Sequence, residues 1–139
     1  MAATIRKLGY YSMKVPNRAG AGAKLLDALR LEGVNLLAFT GFPVSGGAQV
    51  DFVPESDTAF RRAAKHAGLK LSARKAVFIL QGDDRPGALA SAAGKLAAAR
   101  INITALDAVC AGKRRFGAIF WVKAKDVARA ARVLGARAG

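Results

Sequence analysis

Asp84-Arg85-Pro86-Gly87 lies between an apolar strand, Ala76 to Gln81, and a helix striped by Leu89, Ala92, Ala93 and Leu96. In such a turn the aspartate caps, the proline suits the first helical position, and the glycine relieves the backbone. Turn chemistry alone accounts for these residue types. The same arrangement leaves N–H groups free at a helix start, where an anion such as a carboxylate binds. Asn102, on the strand after that helix, can offer an amide beside the turn. Recurrence favours the binding role: Asn17-Arg18-Ala19-Gly20 and Asn35 stand in the same relation in the first half of the chain.

Other chemistry is thinly represented. Gly20-Ala21-Gly22 opens a dinucleotide fingerprint, but Leu25 occupies its third glycine position. Asp83 and Asp84 are adjacent turn carboxylates and read as caps rather than an acid/base pair. His66, the single histidine, falls at a helix end, where it is solvated or paired with the dipole. Cys110 sits in an apolar strand and reads as an inert small hydrophobe. One cysteine excludes a disulfide framework and a multi-cysteine zinc site. No serine, histidine and acid constellation is evident. A non-enzymatic protein with no cofactor and no metal is expected.

The chain has 139 residues, 53% hydrophobic and 23% charged, a globular composition. Lys and Arg number 23 against 9 acids, a formal charge of +14. Such a charge brings nucleic acid, anionic lipid or an acidic ligand into consideration. Unbroken apolar stretches run to five or six residues, such as Ala76 to Leu80, whereas a membrane helix needs about 20. The N-terminus has no apolar core of signal-peptide length. No membrane contact is expected, and the location expected is cytoplasmic.

Laid on itself at an offset of 67, the chain matches Arg18 with Arg85, Gly20 with Gly87 and Asn35 with Asn102. Conservative pairs accompany them, such as Asn17 with Asp84 and Val34 with Ile101. Two homologous halves follow, 1–72 and 73–139. The first carries 10 basic and 5 acidic residues, net +5; the second carries 13 and 4, net +9.

In the first half, Tyr10 to Val15 alternates as a half-buried strand, and Leu25, Leu26 and Leu29 recur at helical spacing. Asn35 to Pro43 and Ala48 to Val53 form a hairpin, Ser56 caps a helix over Ala59 to Ala67, and Leu69 to Ala73 supplies a fourth strand. In the second half, the strand at 76–81, the turn and the helix precede a hairpin, Ile103 to Ala111 and Phe116 to Val122, with Lys113-Arg114-Arg115 as a solvated tip. Asp126 caps the last helix, and the chain stops where the fourth strand should begin. Each half is β-α-β-β-α-(β), the second lacking most of its last strand. Right-handed crossovers place both helices on one sheet face. The fold class expected is α+β, ferredoxin-like βαββαβ, in two tandem repeats.

The run from Gly82-Asp83-Asp84-Arg85-Pro86-Gly87-Ala88-Leu89 through Arg100-Ile101-Asn102-Ile103 resembles the ACT domain. Val15 to Gly20 through Gly33-Val34-Asn35-Leu36 is a weaker copy, with Ala19 where proline is usual. The resemblance implies two tandem ACT-like modules that bind an amino acid or similar small carboxylate at a domain interface and act as an allosteric regulator. It assigns the ligand to Asn17, Arg18, Ala19, Gly20 and Asn35, and to Asp84, Arg85, Pro86, Gly87 and Asn102.

A second reading starts from Arg114-Arg115-Phe116-Gly117-Ala118-Ile119-Phe120-Trp121, which partly resembles the signature strand of RNA-recognition motifs. Those domains stack bases on sheet aromatics. Here Arg115 replaces a glycine and Ala118 a stacking aromatic, so nucleic-acid binding stands as the alternative. The second half's strands are apolar on both faces, and helices cover one. Exposure of Phe78 and Trp121 would exceed what a soluble monomer tolerates. The absent last strand leaves an open edge. A homodimer or higher oligomer built through the second half is therefore expected.

Overall fold

The computed structural model describes residues 3–139. Its elements run β1 (Thr4–Val15), α1 (Ala21–Leu31), β2 (Leu36–Val44), β3 (Gly47–Pro54), α2 (Asp57–Ala67), β4 (Lys75–Asp83), α3 (Ala90–Ala98), β5 (Ile103–Gly112), β6 (Arg115–Val122), α4 (Val127–Leu134) and β7 (Arg137–Ala138). This is an α+β chain of two ferredoxin-like repeats. The chain forms two compact units. The first is Gly9–Lys75; the second joins the described residues up to Leu8 with Ala76–Gly139.

In the first unit β1 pairs antiparallel with β3, Tyr11 opposite Phe52, and β3 pairs antiparallel with β2, Phe39 opposite Phe52. Alternation turns Tyr11, Val50 and Phe52 to one side, where they meet Leu25 and Leu29 of α1 and Phe60 and Ala63 of α2. Three rings knit this core: Tyr11 to Phe60 and Phe52 to Phe60 each stand 5.2 Å apart between centroids. The expected fourth strand at Leu69 to Ala73 does not form as a ladder. Ser72 N–H donates to the Ser12 carbonyl at 2.9 Å, but Ser12 N–H donates to the Ser72 hydroxyl rather than to a carbonyl. A side chain thus takes the place of the ladder's next backbone acceptor.

In the second unit the order is β1, β4, β6, β5. Phe78 lies opposite Phe120 across β4 and β6, and the two rings stack at 5.4 Å. Leu96 and Ala92 of α3 and Ala130 and Leu134 of α4 cover them. The last strand is reduced to two residues, Arg137 and Ala138, paired parallel with Arg6 and Lys7.

Three expectations change here. The edge of β4 is not left open, because β1 lies beside it and begins at Thr4 rather than near Tyr10. Dividing the sequence at 72 and 73 leaves residues 3–8 in the first half, whereas the fold groups them with the second. Nor is Phe78 exposed: it is 0% accessible, and Val77 and Ile79 on the other face of β4 are buried as well. Trp121 is half-buried. The β4 and β6 faces are therefore not bare and do not call for an oligomer to cover them.

The repeat is written in the backbone. Left-handed φ values recur 67 residues apart: Gly20 at 88° and Gly87 at 77°, Gly33 at 72° and Arg100 at 58°, Gly68 at 68° and Gly135 at 62°. The two hairpin turns correspond likewise, Gly46 and Gly47 in the first with Lys113 and Arg114 in the second.

Candidate ligand-binding turns

Both turns carry a left-handed glycine ahead of a helix. Gly20 is the residue before α1, and no side chain caps that helix. Around it Arg18 N–H donates to the Pro16 carbonyl at 3.0 Å and Lys24 N–H to the Gly20 carbonyl at 3.0 Å. Asn17, Arg18, Ala19 and Gly20 are all exposed. At Gly87 a Cβ would have open room, with Ala90 Cβ at 4.0 Å as its nearest neighbour, so the φ of 77° rather than crowding demands glycine.

The second turn departs from the expected cap in one respect. Pro86 is not the first residue of α3, which begins at Ala90 and has no side-chain cap on Leu89. Pro86 to Leu89 instead form a separate turn, with Ala88 N–H on the Arg85 carbonyl at 3.1 Å and Ala90 N–H on the Gly87 carbonyl at 3.0 Å. Asp84 is not a helix cap either. Its N–H donates to the Arg114 carbonyl at 2.8 Å, and Arg115 reaches the Asp83 carboxylate at 3.3 Å. These bonds tie the turn to the tip of the β5–β6 hairpin. Asp84, Arg85, Pro86 and Gly87 are exposed.

The two asparagines differ. Asn35 Nδ2 donates to Glu55 Oε2 at 2.6 Å, and Glu55 N–H returns a bond to the Asn35 carbonyl at 3.0 Å. Its amide is engaged in the first unit. Asn102 is exposed ahead of β5. A cavity of about 20 Å³ lies behind the second turn, lined by Gly82, Asp83, Arg85, Ala88 and Phe116. That is room for about one water, far too little for an amino acid. A ligand held by this turn must lie on its open, solvent side.

The remaining sequence candidates are settled by their surroundings. His66 Nδ1 stands 2.8 Å from Glu32 Oε1, an exposed pair. Cys110 is exposed rather than packed, because β5 is exposed along its length. Asp126 makes no capping bond; its carboxylate accepts from Arg129 at 3.2 Å. Among the described residues no group of three His, Cys, Asp or Glu could hold a metal, and no helix is long and apolar enough to cross a membrane. Phe78 and Phe120 stack on each other beneath the helices, so neither is presented to a base.

One polar site escapes the sequence reading. Asp51 on β3 is 5% exposed and accepts from Gln49 at 3.0 Å and Thr40 at 3.4 Å. Burial, and then the Asp51 charge, push the Tyr10 phenol above its ordinary pKa. The period-2 alternation of Gln49 and Asp51 against Val50 and Phe52 was the available signal, since it assigns Asp51 to the face away from the helices.

The paired turns and the two βαββαβ repeats set the fold against which known proteins were compared. No family model matches the chain, and no curated protein matches it. Solved structures do. Protein BT0572 from Bacteroides thetaiotaomicron aligns with a TM-score of 0.72 at 20% identity, covering 96% of this chain and 88% of that one. The ligand-free regulatory subunit of aspartate kinase from Thermus thermophilus aligns at 0.64 and 17%, covering 97% and 95%. The corresponding subunit from Thermus flavus aligns at 0.60 and 17%, covering 96% and 94%. At these identities the likeness is one of fold, and it extends over both repeats.

Proposed function

We propose that the chain is a non-enzymatic, tandem ACT-like regulator, acting in the cytoplasm, that binds an amino acid or similar small carboxylate. One observation carries this reading: two exposed turns, 67 residues apart, each place a left-handed glycine where a strand passes into an uncapped helix region. N–H groups there, with the helix dipole, suit a carboxylate. Arg18 and Arg85 stand beside them as cations, and Asn102 has its amide free to meet the ligand's polar groups. Asn35, held by Glu55, is the weaker partner, which makes the second turn the stronger site. The small cavity behind that turn requires a further surface to close over the ligand, as a paired module would. A ligand that fits one pairing better than another shifts the population toward it.

The oligomer belongs to the same proposal, on different residues. Leu26, Leu31 and Phe42 of the first unit are the large apolar side chains left exposed there, Leu31 at 71%. A homodimer or higher oligomer would cover them.

A thermal-shift screen against the twenty amino acids tests the function. Selective stabilisation by one or a few is expected, since a ligand that binds only the native state raises its stability.

A further inference from the structure

β5 is a sheet edge without protection. It ends the strand order of the second unit, runs ten residues, and is exposed from Thr104 onward. Sheet edges are ordinarily blunted by Lys, Pro or a covering element. From Ile103 to Gly112 the only charge is Asp107, and there is no proline. Val109 is 70% exposed and Leu106 39%. Leu106 also borders a shallow apolar groove with Leu89, Ala93, Leu96 and Ile103. The β5–β6 register is regular from Ala105 to Cys110, so a stretch of six residues is straight enough to template another strand.

Both ends of this edge carry cations in a costly backbone. Arg100 precedes it at φ 58°, and Lys113 and Arg114 follow it at 50° and 58°. Their equivalents 67 residues earlier are Gly33, Gly46 and Gly47. The left-handed region is costly for any residue other than glycine. A two-residue hairpin turn of this kind favours Asn-Gly, not Lys-Arg. Among the described residues none of the three cations forms an ion pair. Neither an ion pair nor the local backbone preference accounts for these residues.

A second copy of the chain fits poorly. Antiparallel pairing of β5 with itself about Asp107 and Ala108 sets Gly112 of one copy opposite Ile103 of the other, which brings the Lys113-Arg114 hairpin tip of each copy toward Arg100 of its partner. Like charges then face each other at both ends, between chains of formal charge +14.

We propose that the free edge of β5 is a docking site for an extended segment of a partner protein. That segment is apolar in alternation at its centre and acidic at its ends, and it adds to the sheet as an antiparallel strand. Backbone hydrogen bonds supply affinity, Leu106 and the groove beside it receive its apolar side chains, and Arg100, Lys113 and Arg114 meet its carboxylates.

The test uses a fluorescein-labelled peptide of sequence Glu-Glu-Val-Thr-Val-Thr-Val-Glu-Glu, the full chain, and fluorescence anisotropy. The triple variant R100G/K113G/R114G relieves the backbone cost, so it folds at least as well as the parent. It is expected to bind the peptide about tenfold more weakly, three modest ion pairs' worth. A peptide of equal charge with prolines at the valine positions should fail to bind, and hydrogen exchange should slow at 104–110 only when the valine peptide is present. Equal binding of the proline peptide would overturn strand addition. Exchange protection of β5 that grows with protein concentration alone would overturn it in favour of a second copy. Preference for an RNA oligonucleotide over the peptide, at equal salt, would overturn it in favour of nucleic acid.

Discussion

At the scale of single residues, the glycines before the two helices make the sharpest claim. Valine at Gly87 must adopt φ near 77° or distort the turn, and β-branched residues strongly resist that region. Gly87→Val should weaken amino-acid binding at least tenfold by calorimetry, while Lys95→Ala on the surface of α3 leaves it unchanged. Equal effects would remove the turn from the site. Tyr11 makes a second claim. Its hydroxyl donates to Asp57 at 2.6 Å, and burial, then that bond and the carboxylate's charge, raise its pKa above 10.0. A raised folded pKa favours the protonated phenol in the native state. The stabilisation is thus complete below the unfolded value near 10 and is lost as pH climbs through the folded one. Urea midpoints should fall more steeply above pH 10 in the parent than in Tyr11→Phe, which itself loses about 1 kcal/mol at neutral pH. Parallel curves would contradict this. The turns were legible at this scale because glycine alone enters the positive-φ region without strain and proline fixes its own φ. The engagement of Asn35 by Glu55 was not, since it depends on a contact 20 residues away that no local pattern encodes.

At the scale of elements, the helix stripes and hairpins were legible because apolar periodicity directly reports which face is buried. Leu25 and Leu29, or Ala92 and Leu96, recur as the burial requires. Two elements were not legible. β1 begins six residues before the alternation at Tyr10 is recognised, because Thr4 to Gly9 carries Arg6 and Lys7 and shows no clean period. The stretch at Leu69 to Ala73 has strand composition, yet Ser72 satisfies its neighbour with a hydroxyl. The core of the first unit rests on Phe60, which is fully buried between Tyr11 and Phe52. Phe60→Ala should cost about 3–5 kcal/mol, and a loss below 1 kcal/mol in chemical denaturation would show that the ring cluster is not what binds α2 to the sheet.

At the scale of the whole molecule, the repeat offset predicted the two-fold plan, while the sharing of β1 between units was beyond any alignment of the chain with itself. The N-terminal part of β1 lies beside β4, and Ala3 Cα would be 3.2 Å from a Cβ at Gly82. Removing residues 1–8 should therefore expose the second unit: exchange protection in β4 should fall by orders of magnitude while β3 keeps its own. Uniform loss, or none, would mean that β1 does not complete the second unit's sheet. The charge of +14 and the basic ends of β5 belong to this scale too, as features that favour anionic partners over self-pairing at that edge. Whether the molecule is a small-molecule regulator is decided most directly by differential scanning fluorimetry of the parent and of the Gly20→Val, Gly87→Val double variant, with each of the twenty amino acids and with an RNA oligonucleotide at two salt concentrations. The account predicts a rise in Tm with one or a few amino acids, only weakly dependent on salt and absent in the double variant. No response to any amino acid, together with RNA binding that falls steeply as salt rises, would contradict it.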